Sequence, residues 1–312
     1  MNLLQRLSIE LGVSESHILS ITASGPLKYK VYSIPKRTHG RRIIAHPSKD
    51  LKKLQKSFIK LHNFPIHTNA MAYKEGVSIK DNASFHKSNK YLLKMDFENF
   101  FNSITPVLFW NVWNQHFPKS SYFDKKIIEN ILFWAPNIHE RERLILSVGA
   151  PSSPMISNFC LFQFDSILTH YCIERSIFFT RYADDLTFST DTPDLLKTLP
   201  GVISNLLRQL YEGQIEINNQ KTVFSSQAHN KHVTGITITP EGKLSIGRSR
   251  KRYIKHLVHQ YILNKLKSSD FNHLRGLLTF SMHIEPQFIT SLENKYSTNI
   301  IENIVRGINE QN

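Results

Sequence analysis

Arg181-Tyr182-Ala183-Asp184-Asp185-Leu186-Thr187-Phe188-Ser189 is the stretch on which the reading of this chain turns. β-Favouring residues flank a pair of acids: Phe178, Phe179, Thr180 and Tyr182 before it, Leu186, Thr187 and Phe188 after it. Asp suits a tight turn because its side chain bonds nearby backbone. The pattern predicts two short strands joined by a turn that carries Asp184 and Asp185. Adjacent carboxylates on a rigid hairpin repel each other unless a cation sits with them. Clustered carboxylate oxygens suit Mg²⁺, which keeps room for phosphates. A solvated surface turn is the plain alternative for an isolated acid pair. A third acid on a strand of its own separates the two readings.

Tyr91-Leu92-Leu93-Lys94-Met95-Asp96-Phe97-Glu98-Asn99-Phe100-Phe101 supplies it. The apolar run bounded by polar residues predicts a buried strand with Asp96 at its C-terminal end. Two-metal phosphoryl transfer needs carboxylates that hold two cations about 3.5–4 Å apart, one activating a hydroxyl and one stabilising the leaving group. Asp96, Asp184 and Asp185 are therefore the candidate catalytic carboxylates. Asp96, Phe97, Asp184 and Asp185 are the candidate ligands of two Mg²⁺ ions.

The tetrapeptide Tyr182-Ala183-Asp184-Asp185 between β-rich flanks, with Asp96 upstream, resembles the catalytic hairpin and first palm strand of reverse transcriptases. Further blocks follow in that family's order. Val148-Gly149-Ala150-Pro151-Ser152-Ser153-Pro154, then Ser157-Asn158, resembles a loop-to-helix block that supports the template and the nascent pair. Gly149 permits close backbone approach. Pro154 suits a first helical turn with Ser153 as N-cap. The family usually has Gln where this chain has Val148, so no polar template contact is carried over there. Five residues after Asp96, Phe101 matches the aromatic that crowds the 2′ position of the incoming sugar. Lys221, after Gln214-Ile215-Glu216-Ile217-Asn218-Asn219-Gln220, matches a lysine near the triphosphate. The resemblance thus makes Phe97, Phe101, Arg42, Lys221, Gly149, Ala150 and Pro151 the candidate dNTP contacts.

Two more patches narrow the resemblance. Asn82-Ala83-Ser84-Phe85-His86 matches the NAxxH element of bacterial retron reverse transcriptases, and Val233-Thr234-Gly235 matches their VTG element. Leu274-Arg275-Gly276-Leu277-Leu278-Thr279-Phe280 is similar to their C-terminal region. Each pattern is short, and a lone Gly after Thr marks only a bulge or bend; their joint order is the specific signal. The resemblance runs from about 28 to 295. It implies a right-hand polymerase that copies a cognate structured noncoding RNA. It also implies priming from a 2′-hydroxyl of an internal guanosine and a branched RNA–DNA product (msDNA). That product would serve anti-phage defence, with an effector or toxin protein from the same locus. Another bacterial reverse transcriptase, intron-derived or of phage-exclusion type, stays open. So does a non-catalytic RNA-binding scaffold on a polymerase fold. A nucleotidyl cyclase would leave the basic regions unexplained.

Composition agrees. Lys and Arg number 39 against 25 Asp and Glu, a formal net charge of +14 over 312 residues. Such an excess favours a polyanionic partner through phosphate neutralisation and counterion release. Asn82, His86, Val233, Thr234 and Gly235 are candidate nucleic-acid contacts on the resemblance. Arg248, Arg250, Lys251, Arg252 and Lys255 are candidates on their clustered charge. The only cysteines, Cys160 and Cys172, lack metal or redox spacing and fit buried thiols of a cytoplasmic protein. The histidines show no HExxH or paired ligand spacing. No signal peptide or membrane span is expected, since no apolar run approaches the required length of about 20 residues.

The fold class expected is α+β: a right-hand polymerase with fingers, ferredoxin-like palm and helical thumb. Residues 1–90 are read as N-terminal helices and fingers, 91–238 as palm with inserted fingers helices, and 239–312 as thumb with a basic amphipathic helix. Helices are predicted up to about Ala23, with a new N-cap at Ser14, and over 50–62. Thr38-His39-Gly40-Arg41 reads as the turn of a fingers hairpin whose basic residues are Lys36, Arg37, Arg41 and Arg42. A long helix is predicted after Ser153, with Phe159, Phe162, Ile167, Leu168 and Tyr171 on its apolar face. Another is predicted over 201–211. Strands are expected at Ile215–Ile217, 222–226, 232–238 and 243–247. The β-α-β-β-α-β order is that of the ferredoxin-like unit, which hosts many activities. Ile254, Leu257, Val258, Tyr261, Ile262 and Leu266 mark one face of the thumb helix.

Overall fold

Numbered along the chain, the strands are β1 (Tyr29–Pro35), β2 (Arg41–Pro47), β3 (Tyr91–Asp96), β4 (Phe133–Trp134), β5 (Ile145–Leu146), β6 (Phe178–Tyr182), β7 (Asp185–Thr190), β8 (Val223–Ser226), β9 (Lys231–Val233), β10 (Ile236–Ile238) and β11 (Leu244–Ser245). The computed structural model describes residues 1–36, 40–137, 140 and 143–309. Arg37 and the Thr38-His39 part of the expected fingers turn lie outside the described residues.

β6 and β7 are the strands expected around Asp184 and Asp185, and β3 ends at Asp96 as its apolar run predicts. With β8 they form a four-stranded sheet of order β6-β7-β3-β8. Helices lie between β3 and β6, and the helix Leu199–Tyr211 lies between β7 and β8. This is the split β-α-β-β-α-β unit. The fourth strand differs from the expectation at Ile215 and Ile217. β8 takes that place, pairing antiparallel with β3 from Tyr91↔Ser226 to Lys94↔Val223. The segment 215–217 makes only an isolated bridge, Phe97↔Ile217. Gly213, at φ 81°, and the 3₁₀ turn Asn219–Lys221 bracket it too closely for a longer ladder.

The chain divides into two compact units, cut differently from the expected 1–90, 91–238 and 239–312. One holds 1–75, 95–186 and 197–222; the other holds 76–94, 187–196 and the chain from Val223 onward. In the second of these, Ala83, on the helix Ile79–Phe85, packs in one apolar cluster with Val233, Ile236, Ile254 and Leu257. β3 and β7 run from one unit into the other.

In the first unit Ser14 caps the helix Glu15–Thr22 by accepting the His17 N–H. The helix Lys49–Lys60 buries Leu51, Leu54 and Phe58 at helical spacing. Its core is strongly aromatic: Phe64 meets Phe159 at 5.0 Å between ring centroids, and Phe109 meets Trp113 at 5.5 Å. The long helix expected after Ser153 breaks at Leu161 into Ser153–Cys160 and Phe162–Ile173. Ser152 rather than Ser153 is its N-cap residue, without a side-chain cap bond; Pro154 sits in the first turn as predicted. The break rotates the second segment, so Ile167 is 41% exposed while Phe164 and Asp165 are fully buried.

In the second unit the expected strand 232–238 is a hairpin. Thr234 (φ 46°) and Gly235 (φ 80°) form a two-residue turn between β9 and β10. Two successive positive φ values match the twist of paired strands, and Gly adopts them without steric cost. Thr239-Pro240-Glu241-Gly242 turns as expected, the Gly242 N–H donating to the Thr239 carbonyl at 2.9 Å. The helix Arg248–Ile262 buries Ile254, Leu257, Val258 and Tyr261, whereas Ile262 stays 37% exposed. No helix among the described residues is long and apolar enough to cross a membrane.

Candidate active site

The turn that carries Asp184 is built on a strained residue. Ala183 has φ 58°, a left-handed conformation that costs a non-glycine residue about 1–2 kcal/mol, and it is buried. Its carbonyl accepts a 3.0 Å hydrogen bond from Arg181 Nη1. The Asp184 carbonyl accepts from the Phe97 N–H at 3.0 Å, and the Asp96 carbonyl accepts from the Asn218 N–H at 2.7 Å. Backbone pairing therefore fixes both acids at adjacent strand ends.

Asp96 and Asp184 line one cleft of about 390 Å³ in the first unit, together with Phe97, Phe101, Arg42 and Lys221. Lys36, Arg41, Tyr73 and Asn218 complete much of the wall. Lys221 Nζ lies 2.8 Å from Asp96 Oδ1. Burial raises the Asp184 carboxyl above the usual carboxylate range; the Asp96 charge raises it further, and Lys221 and Arg42 oppose the rise. Two hard-oxygen donors that repel each other, one already holding an ammonium, form a donor set that fits a divalent cation.

The cleft brings together most, not all, of the residues the sequence marks. Asp185 does not line it, and among the described residues no group of three or more His, Cys, Asp or Glu side chains forms a metal-holding cluster. Asp184 belongs to the turn, whereas Asp185 is already the first residue of β7, and adjacent side chains leave such a backbone on different sides. Gly149, Ala150 and Pro151 also stay out of the lining; Val148 takes part instead. The need for Gly149 comes from β2: at φ 125°, a Cβ there would meet Ile44 Cγ2 at 3.0 Å and the Ala45 carbonyl oxygen at 3.1 Å. Ala150 is buried. Gly149→Ala is expected to destabilise the chain by about 1–3 kcal/mol, because it adds overpacking to backbone strain. Urea unfolding checks this; an unchanged midpoint would show that β2 yields freely.

The second unit shows what the NAxxH and VTG patches do. Asn82, His86 and Val233, expected as nucleic-acid contacts, are all fully buried. Asn82 Nδ2 donates to Thr234 Oγ1 at 3.4 Å, so the two patches meet each other. His86 Nδ1 pairs with Ser189 Oγ at 2.8 Å. Thr234 is half-buried and Gly235 exposed at the hairpin turn. On the basic helix, Arg248, Arg252 and Lys255 are exposed. Lys251 is bound by Glu285, whose carboxylate also accepts from Ser245 Oγ and the Ile246 N–H. The Arg250 guanidinium lies over the Phe280 ring at 5.1 Å.

Burial, aided by the Lys231 charge, pushes His86 down from the ordinary 6.5 to about 3. The folded state thus binds this proton more weakly than the unfolded state. Stability carried by neutral His86 is complete above pH 6.5 and is lost as pH falls toward about 3. Unfolding midpoints measured from pH 7 to 4 should fall, and His86→Gln should flatten that slope. An unchanged slope in the variant would reject the assignment.

Sequence reasoning missed the support of the turn. Arg181, Asp165 and Asn158 are fully buried, and Arg181 donates hydrogen bonds to both of the others. The one available signal was an arginine inside an otherwise apolar strand. Tyr73, at φ 61°, was missed because an isolated tyrosine in a loop carries no pattern.

Comparison with known proteins agrees with this geometry. The reverse transcriptase (RNA-dependent DNA polymerase) family profile matches residues 34–238. The chain is 46% identical over 278 residues to the Retron Ec83 reverse transcriptase of Escherichia coli, covering 88% of this chain and 89% of that one. It is 30% identical over 283 residues to the Retron Ec73 reverse transcriptase of the same organism, with 86% of each covered. Among solved structures, apo telomerase from Candida tropicalis superposes with a TM-score of 0.50 at 12% identity, over 91% of this chain and 62% of that one, which supports the right-hand polymerase fold. A family match across the whole hairpin region, and close likeness along most of the chain, place this protein among the bacterial retron reverse transcriptases, which are RNA-directed DNA polymerases.

Proposed function

We propose that this enzyme copies a cognate structured noncoding RNA in the cleft at Asp96 and Asp184. Priming comes from an internal guanosine 2′-hydroxyl, and the product is a branched RNA–DNA molecule that acts in anti-phage defence with an effector protein of the same locus. The observation that carries the catalytic part is the meeting of two carboxylates with Lys221, Arg42 and Phe101 in one cleft. Likeness to retron enzymes supports the remainder. Within this reading, fingers, palm and thumb follow the expected order along the chain, and Asp185 is kept as the third carboxylate on the family resemblance.

Bound at Asp96 and Asp184, Mg²⁺ would supply positive charge to an attacking primer hydroxyl and to the departing pyrophosphate. The chain's own residues do the positioning. Arg42 and Lys221 stand where phosphate oxygens of a dNTP can meet them, and Lys221 can neutralise either Asp96 or a phosphate. Phe101, packed against Phe100 at 5.2 Å between centroids, walls the side on which a 2′-hydroxyl would crowd. Structured RNA is read through shape, stacking and 2′-hydroxyl contacts. Arg248, Arg252 and Lys255 supply phosphate contacts for it.

The test is to give the purified chain its native-locus RNA, either as transcribed or synthesised with a single 2′-deoxyguanosine, add dNTPs and Mg²⁺, and examine the DNA made. DNA covalently attached to RNA, lost when the priming guanosine is 2′-deoxy, is the expected result. Synthesis only from an added 3′-hydroxyl primer, without any RNA link, would reject the priming and branched-product reading.

A further inference from the structure

Arg181 sits three residues before Asp184, is fully buried, and makes hydrogen bonds in three directions. Nε and Nη2 grip the two oxygens of Asp165 at 2.8 and 2.5 Å. Nη1 donates to Asn158 Oδ1 and to the Ala183 carbonyl, both at 3.0 Å. Asn158 in turn donates through Nδ2 to the Ala72 carbonyl, next to Tyr73 in the cleft wall. The Arg181 backbone pairs with Asn69 and Met71. One guanidinium thus ties the strained turn to two helices and, through Asn158, to the backbone next to Tyr73.

A buried ion pair by itself contributes little net stability over apolar side chains of similar volume. A rigid guanidinium fork differs from them in geometry: it presents several donors at fixed angles, which an ammonium cannot. The donor that distinguishes Arg181 from a mere partner of Asp165 is the one on Ala183, the left-handed residue that turns Asp184 into the cleft.

We propose that Arg181 is a positioning residue for catalysis: through Ala183 it sets the Asp184 carboxylate, with Asp165 and Asn158 orienting its guanidinium. The inference rests on the polymerase reading of the cleft. The double variant Arg181→Met/Asp165→Leu removes the fork without leaving a charge buried alone. Arg181→Lys keeps the charge for Asp165 but cannot hold Asp165 and Ala183 together. Both are compared with the native chain and with Asp184→Asn. Three properties are measured: the thermal midpoint, Mn²⁺ binding by the free protein followed by electron paramagnetic resonance, and kcat and KM for dNTP on a primed RNA template with Mg²⁺.

The expected result is a folded variant whose kcat falls about 100-fold, the scale of a misplacement near 1 Å in a reacting site. KM for dNTP should change little, and Mn²⁺ should bind more weakly. A purely structural role would lower the midpoint while leaving kcat per folded molecule and Mn²⁺ affinity native. Native kcat in either folded variant overturns the proposal. If Asp184→Asn is inactive while the Arg181 variants are native, the positioning role fails and the polymerase site stands. If Asp184→Asn is itself fully active, the site reading fails with it. Should the double variant not fold, Arg181→Lys decides.

Discussion

Asp184→Asn is expected to lower dNTP incorporation on a primed RNA template by at least about 10²–10³-fold, the scale of removing one electrostatic contact to a transition state. RNA binding should stay near native, because the substitution leaves the exposed Arg248, Arg252 and Lys255 untouched. The fold should become slightly more stable at neutral pH. Burial and the Asp96 charge raise the Asp184 pKa, so the folded state holds that proton more tightly than the unfolded state. The cost of the ionised form is present above the folded pKa and is relieved as pH falls through it. Asn removes that cost at pH 7, and the gain should fade as native Asp184 becomes protonated. Incorporation assays, RNA binding and thermal unfolding at two pH values check the three parts. Native synthesis in the variant would sink the assignment, and loss of RNA binding would undo the separation of chemistry from binding.

Asp165→Leu on its own should be among the most damaging single changes in the first unit. It strands the fully buried Arg181 guanidinium without its carboxylate. Breaking a buried pair from one side costs about 3–5 kcal/mol, because the remaining charge is uncompensated. Denaturant unfolding of Asp165→Leu beside the Arg181→Met/Asp165→Leu pair measures it. The single variant should be the less stable of the two. A loss below about 1 kcal/mol would mean that water or another carboxylate reaches Arg181.

The catalytic hairpin was legible because strand propensity, turn chemistry and acid placement agree within nine residues. Asp96 was legible for the same reason, at the end of an apolar run. The fingers hairpin and the capped N-terminal helix at Ser14 also depend on neighbours in sequence. The misses share one cause: they are decided between segments far apart in the chain. Ile215–Ile217 alternates like a strand, yet β8 takes the edge of the sheet. NAxxH and VTG carry no local sign of burial, yet Asn82 bonds Thr234 and His86 bonds Ser189 inside the second unit. Lys251 reads as part of a basic stripe, yet Glu285 holds it. Gly149 reads as a ligand contact, yet β2 is what approaches it.

Short-range physics thus determined from sequence alone that this basic α+β chain presents acids on strand ends, and resemblance of its short motifs pointed to the retron reverse transcriptases. Such signals are carried by residues within a turn or a strand of one another. Only the tertiary structure decided which carboxylates share a cleft, which charges are already neutralised, and that a buried arginine bonds the turn before Asp184. Those outcomes depend on desolvation and on hydrogen-bond geometry across segments, and neither is written in local order.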